Sequence, residues 1–353
     1  MVRYLLFFSY IGTKFNGAQA QAAIDVRNPR VRTVQCALEA GLLTLKPKNE
    51  PRTSLSSRTD SGVHAFESTA HVDLHHFEHG KFYKPDVITF AMNVYFADRD
   101  CDVRILRTRI VPDEFNCRHN ATSRTYVYRI AVPKRDILPG LPDMSLRSKY
   151  ISLLPLLEMN SCNLVYPPFD AEAAGKAARL FRGTHNFTSF MMKRSSRDRN
   201  PPRNPVRNME VAEMTPGRGI LVEHDQFHDH LEYWDFTFRS SGFLHRQVRR
   251  MVGALCAVGS GRLTEENITY MLDNPSHLSW MKFNPGHTPP QGLFLKKVTY
   301  NEKDMTLPAD YFEVIAKYPH ATYLNQKRNV FTGFFEVLRQ RAKQLSPDPA
   351  SQP

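Results

Sequence analysis

A carboxylate, a guanidinium and a glycine stand close together in Ser57-Arg58-Thr59-Asp60-Ser61-Gly62-Val63-His64-Ala65. Read as a polar loop between two strands, with Gly62 free to take an unusual backbone angle, this stretch offers Asp60 for chemistry. A carboxylate kept ionised by a neighbouring cation can serve as nucleophile or as acid–base group. The residues alone allow a second reading, a turn in which Asp60 only accepts from nearby backbone N–H groups. Positive charge gathers elsewhere. Lys193, Arg194, Arg197, Arg199, Arg203 and Arg207 share a short stretch with Asp198 as its one acid, interrupted by Pro201, Pro202 and Pro205. That composition suits a basic loop over 193–207 that clamps phosphates, and suits a solvated loop equally well. Arg246, Arg249 and Arg250 add charge to a helical stretch.

Metal chemistry has little support. His64, His71, His75, His76 and His79 are dense but irregularly spaced on a strand-like segment. The five cysteines are scattered and form no C-x-x-C pair, which argues against a zinc site or a disulfide framework. No cofactor is expected. The chain has 353 residues, 41% hydrophobic and 23% charged, with 47 basic against 35 acidic residues for a net charge of +12. This excess points to a polyanionic partner, since Lys and Arg neutralising phosphates supply most non-specific nucleic-acid affinity. No apolar run is long enough to span a bilayer, so no membrane partner is expected. Arg3 leads straight into a strand-like segment, and no secretory signal is legible. The sequence does not choose between cytoplasm, nucleus and mitochondrial matrix.

The elements that must position these groups follow from periodicity. Tyr4–Tyr10 reads as a buried strand. Thr33 caps a helix with Val34, Ala37, Leu38, Leu42 and Leu45 on one face. Strands flank Asp60, the second alternating Ala70, Val72 and Leu74 against a polar face of Thr69, His71 and Asp73. Pro85 opens a helix carrying Val87, Phe90, Ala91 and Val94, and a strand with Val103 and Ile105 follows. The order β-α-β-β-α-β is the split βαβ arrangement. It recurs with a strand Arg124–Val132 that sets Tyr126, Tyr128 and Ile130 on one face, and with a helix capped by Asp170. Strands near Val206–Met214, Ile220–Glu223 and Leu231–Arg239 come next, then a long helix Phe243–Val258, a helix capped by Thr264 and a strand Leu293–Tyr300. The fold class expected is α+β: two ferredoxin-like halves, their antiparallel sheets joined into one larger sheet, with the site in the cleft between them. Residues 1–112 form the N-terminal half with the Asp60 loop. Residues 113–303 form the C-terminal half, with an irregular insertion at 138–169. Residues 304–353 are a partly disordered extension with one amphipathic helical stretch around 330–343.

The Asp60 stretch closely resembles R-T-D-A-G-V-H-A, the catalytic motif of the tRNA pseudouridine synthase A family, with Ser61 in place of Ala. Further matches follow in order: the N-terminal loop Thr13–Gln19, Pro112–Phe115, Ala121–Tyr128, Phe187–Phe190, Pro205–Arg207 and Phe243–Gly253. They span about Tyr4 to Tyr300, and the eukaryotic branch called tRNA pseudouridine synthase-like 1 looks nearest. One departure is Ala18, where bacterial members carry Trp.

The resemblance implies an isomerase that turns uridine into pseudouridine in tRNA, in the anticodon stem-loop, with other RNA targets open. It implies Asp60 as the catalytic carboxylate, Arg249 as its cationic partner, and Tyr126 as a ring that stacks on the base and aids proton removal. Arg58 would help flip the target base, or would pair with Asp60. Leu293 would line the uracil pocket, or pack the core; Tyr128 is expected to be a core aromatic. Lys193, Arg194, Arg197 and Arg207 would bind RNA. Bacterial members work as homodimers, which carries a homodimer here as an expectation. A rival is an RNA-folding factor with weak or no catalysis; a structural ribonucleoprotein subunit is a third.

Overall fold

The computed structural model describes residues 1–20, 33–78, 80–134, 153–193, 204–220, 228–309 and 311. The chain is mixed α/β, its strands mostly antiparallel, and divides into two compact units. The first is Met1–Ala121 together with the chain from Val298 onward; the second is Thr122–Lys297. Residues 113–121 and the start of the expected extension thus belong with the first half.

In the first unit the order is β1 (Val2–Tyr10), α1 (Val34–Leu42), β2 (Ser54–Leu55), β3 (His64–Leu74), α2 (Pro85–Ala97) and β4 (Val103–Val111). β1 lies between β3 and β4, and β2 pairs with β3, every pair antiparallel. Thr33 caps α1, its side chain accepting from the Cys36 N–H at 3.3 Å. α1 meets α2 closely: a Cβ on Gly41 would come within 3.1 Å of the Phe96 ring.

The face of α2 that turns inward is Ile88, Met92 and Phe96, each 0% exposed, whereas Val87, Phe90 and Val94 face out. Both sets repeat at helical spacing, so periodicity could not choose between two apolar stripes. The polar face of β3 is not solvated, since Thr69 is 0% and His71 9% exposed. A second layer covers it, in which Leu5, Phe7, Val111, Phe115, Cys117 and Met305 form a core with Tyr300 against it. Thr69 bonds the Tyr300 hydroxyl, which donates to the Cys117 carbonyl at 2.7 Å.

The second unit runs β5 (Ala121–Pro133), β6 (Asn163–Leu164), α3 (Ala171–Arg179), β7 (Gly183–Asn186), β8 (Val206–Pro216), β9 (Leu231–Ser240), α4 (Gln247–Gly259), α5 (Glu265–Asp273) and α6 (His277–Phe283). β10 (Leu293–Tyr300) carries the chain back into the first unit. β9 pairs antiparallel with β5 and β8, and β7 with β8. α4 begins later than the expected Phe243, because Arg246 sits in the left-handed region at φ 58° and ends the preceding turn. The expected irregular insertion is packed where it is described. Leu153, Leu154 and Cys162 join a core with Ala131, Leu231 and Tyr233. Glu158, wholly buried, lies 3.6 Å from the Arg129 guanidinium. Residues 135–152, most of the expected strand 220–223 and the helical stretch at 330–343 lie outside the described residues. No helix among those described is long and apolar enough to cross a membrane.

Candidate active site

The loop between β2 and β3 carries Asp60, and the N-terminal loop holds it in place. The Ala18 N–H donates to the Thr59 carbonyl at 3.1 Å, and the Tyr10 and Thr59 hydroxyls bond at 2.7 Å. Gly62 N–H and Ser61 Oγ both donate to the Phe15 carbonyl, at 3.4 and 3.1 Å. Beyond Asp60 the Val63 N–H closes a turn on its carbonyl at 3.2 Å, and His64 Nδ1 accepts from the Gly12 N–H at 3.0 Å. Two glycines make this approach possible. A Cβ on Gly12 would stand 2.0 Å from the Val63 oxygen; Gly17, at φ 90°, would put one 3.0 Å from the Thr59 oxygen. Asp60 is half-buried, and Arg58 on the same loop is exposed. His64 is therefore a brace, with one ring nitrogen occupied by backbone, and the dense histidine pattern divides accordingly. Among the described residues no three His, Cys, Asp or Glu side chains gather as metal ligands.

Behind the loop lies a cluster that sequence reading missed. Gln35, on the first turn of α1, donates its own N–H to the Ala18 carbonyl at 2.9 Å. Its side chain accepts from the Ala20 N–H at 3.0 Å and donates to the Thr53 carbonyl at 2.9 Å. Glu39 Oε1 accepts from Gln35 Nε2, Thr53 N–H and Thr53 Oγ1, at 3.1, 2.8 and 3.0 Å. Gln35 and Glu39 thus tie the strand entering the Asp60 loop to the segment that grips Thr59. Burial raises the Glu39 carboxyl above the ordinary range, against the pull of the Thr53 and Gln35 bonds. In sequence the pair is an unremarked i, i+4 spacing on a helix.

The second unit positions the other candidates. Tyr126, on β5 opposite Phe238, is 8% exposed, with Phe243 edge-on at 5.0 Å between centroids. Arg249 is buried on α4; its Nε donates to the Thr288 carbonyl at 2.8 Å, and the Thr288 hydroxyl donates back to the Arg249 carbonyl at 3.0 Å. Leu293 is buried directly after the Pro290–Gly292 turn. Tyr128 is a core aromatic: 0% exposed, donating to the Pro289 carbonyl at 2.8 Å, its hydroxyl pushed well up by burial. Arg249, Thr288 and Tyr128 are therefore parts of one interlocked group. Arg207 on β8 donates to the Asn204 and Val206 carbonyls at 2.7 and 2.6 Å, at the root of the basic stretch. Lys193 is exposed at its other root, and Arg194 and Arg197 lie outside the described residues.

Residues 177–301 match the family model described as tRNA pseudouridine synthase. A Xenopus laevis protein called tRNA pseudouridine synthase-like 1 is 37% identical over 305 residues, which cover 86% of this chain and 93% of its own. The chain belongs to the tRNA pseudouridine synthase family. Its human relative of the same name is 35% identical over 84% of this chain and 90% of its own. The tRNA pseudouridine synthase A of Streptococcus equi is 29% identical over 86% of this chain and all of its own length. The family and the names of these relatives make the chain a tRNA pseudouridine synthase, an isomerase. Its family-model match takes in Arg207, Arg249 and Leu293, while Asp60 rests on the motif and its bracing.

Proposed function

We propose that this protein isomerises uridine to pseudouridine in tRNA, within the anticodon stem-loop, with Asp60 as the nucleophile on a base flipped out of its stack. The observation that carries the reading is the Asp60 loop, pinned on both sides of the aspartate by backbone and hydroxyl bonds from residues 10–18. A carboxylate held this way loses little entropy on reaching its reactive pose. The reaction breaks the N1–C1′ bond, turns the uracil and joins C5 to C1′, with the C5 proton leaving and N1 taking up a proton from solvent. Asp60 attacks C1′ or C6 to divide this into easier steps. Arg249 supplies the positive charge that keeps Asp60 ionised. Tyr126 presents a ring for the base and a hydroxyl for the departing proton. Arg58, exposed beside Asp60, takes the place of the flipped base. Leu293 offers apolar surface to the uracil, and Lys193, Arg194, Arg197 and Arg207 hold phosphates. The protein works as a homodimer, and the outward stripe Val87, Phe90 and Val94, from 42% to 72% exposed, is the apolar surface such a contact would use.

Tritium release from a tRNA transcript carrying 5-tritiated uridine tests the chemistry. Wild type should release tritium and Asp60→Asn should release none while still binding. Binding without release by the wild type would replace this reading with the RNA-folding one.

A further inference from the structure

Beyond the catalytic residues, one end of the second unit gathers cations from three separate segments. The Met192 N–H donates to the His245 carbonyl at 3.0 Å, so the chain enters the basic stretch at Lys193 directly beside the start of α4. Arg250 donates to the Ser189 and Met191 carbonyls, at 3.2 and 2.5 Å, and its guanidinium lies 4.3 Å from the Trp280 ring centre. The Ser276 N–H donates to Ser189 Oγ at 3.0 Å, which locks the start of α6 onto the same turn. On the other flank of α4 the chain 285–288 is laid against the helix. A Cβ on Gly253 would stand 2.3 Å from the Gly286 oxygen, and Thr288 bonds the Arg249 carbonyl.

Two imidazoles stand in this setting, half-buried His277 at the first position of α6 and exposed His287 between Gly286 and Thr288. The charges acting on them are all positive. Burial first, then Arg250 and Lys193, holds His277 below the usual imidazole range. Burial, then Arg249, Arg246 and Arg250, does the same to His287. Positive charge beside an imidazole disfavours its protonation, and an anion brought next to it favours it.

We infer that Lys193, Arg246, His277 and His287 form one phosphate-binding surface for the RNA backbone, on which both imidazoles take up a proton as RNA binds. This rests on the RNA-substrate reading above. Phosphates bound beside Lys193 and Arg246 would offset the positive charge that now opposes protonation, and each imidazolium would add a charge-assisted bond. More protons are then bound in the complex than in the separate partners, so affinity rises as pH falls through the imidazole range.

The test is the dissociation constant for an unmodified tRNA transcript at about pH 8 and about pH 6, at constant ionic strength. Wild type should tighten by about tenfold or more across that interval. The double variant His277→Asn with His287→Asn should keep less than about a third of that effect, and its salt slope should be shallower by about 1 to 2. His287→Asn alone, on an exposed loop, should lose part of it and so guards against a folding defect in the double variant. A double variant with the wild-type pH dependence and salt slope overturns the surface. Tritium release by the wild type on the same transcript keeps the two readings apart. Turnover with unchanged pH dependence in the variants sinks the surface alone; proton-linked binding that the variants lose, without turnover, sinks the enzyme alone.

Discussion

Glu39 accepts from Gln35 and Thr53, behind the loop that carries Asp60. Because burial raises its carboxyl, the fold binds this proton more tightly than the unfolded chain does. That contribution to stability is complete at acid pH and is lost as pH rises through the folded value, so at neutral pH the ionised group is a cost offset by its three donors. Glu39→Gln keeps an acceptor oxygen and removes the charge, and should hold its melting temperature at neutral pH. Glu39→Ala leaves the Thr53 N–H and Gln35 amide without their acceptor and should cost about 1–3 kcal/mol. It should also lower kcat more than it raises KM, since a loosened Asp60 loop affects the reacting pose before it affects binding. Equal stability losses in the two variants, with kcat intact, would confine Glu39 to a structural role. Asp60→Asn is the companion prediction: it should abolish tritium release with tRNA affinity and melting temperature close to wild type.

Elements show where pattern reading reaches its limit. The existence of α2 follows from Pro85 and its apolar content, but its orientation depends on which of two stripes meets Gly41 and β4. Asn93 helps to settle it, accepting from the Ile105 N–H at 2.8 Å and donating to the Ile105 carbonyl at 2.9 Å, which fixes one side of the helix against β4. Phe96→Ala should therefore cost about 3–5 kcal/mol in a denaturant titration, and Phe90→Ala less than about 0.5 kcal/mol in the monomer. The reverse order would mean that the helix is turned the other way. β3 teaches the same lesson, since an alternating strand predicts one solvated face only when nothing else covers it. Here Tyr300 and Met305 return from far along the chain to cover the face that carries Thr69 and His71.

At the scale of the whole molecule, the net charge of +12 requires that any RNA binding weaken with salt. The outward stripe of α2 sits oddly on so polar a surface, and the homodimer proposed above would cover it. Phe90→Asp should then shift the protein from dimer to monomer in sedimentation at micromolar concentration, leaving its melting temperature in dilute solution unchanged. An unaltered oligomer would clear this face of any such role.

By itself the sequence determined the family, the order of most elements, and Asp60, Tyr126 and Arg249 as the residues to watch. These are local signals: motifs of contiguous residues, caps such as Thr33 and Asp170, and periods of two and 3.6 along one stretch of chain. The tertiary structure alone decided which stripe of α2 is core. It also decided that Gln35 and Glu39 stand behind the Asp60 loop, and that the start of α6 meets the turn at Ser189. Each of these depends on groups distant in sequence meeting through packing. A pattern read along one segment carries no information about which other segment will cover it.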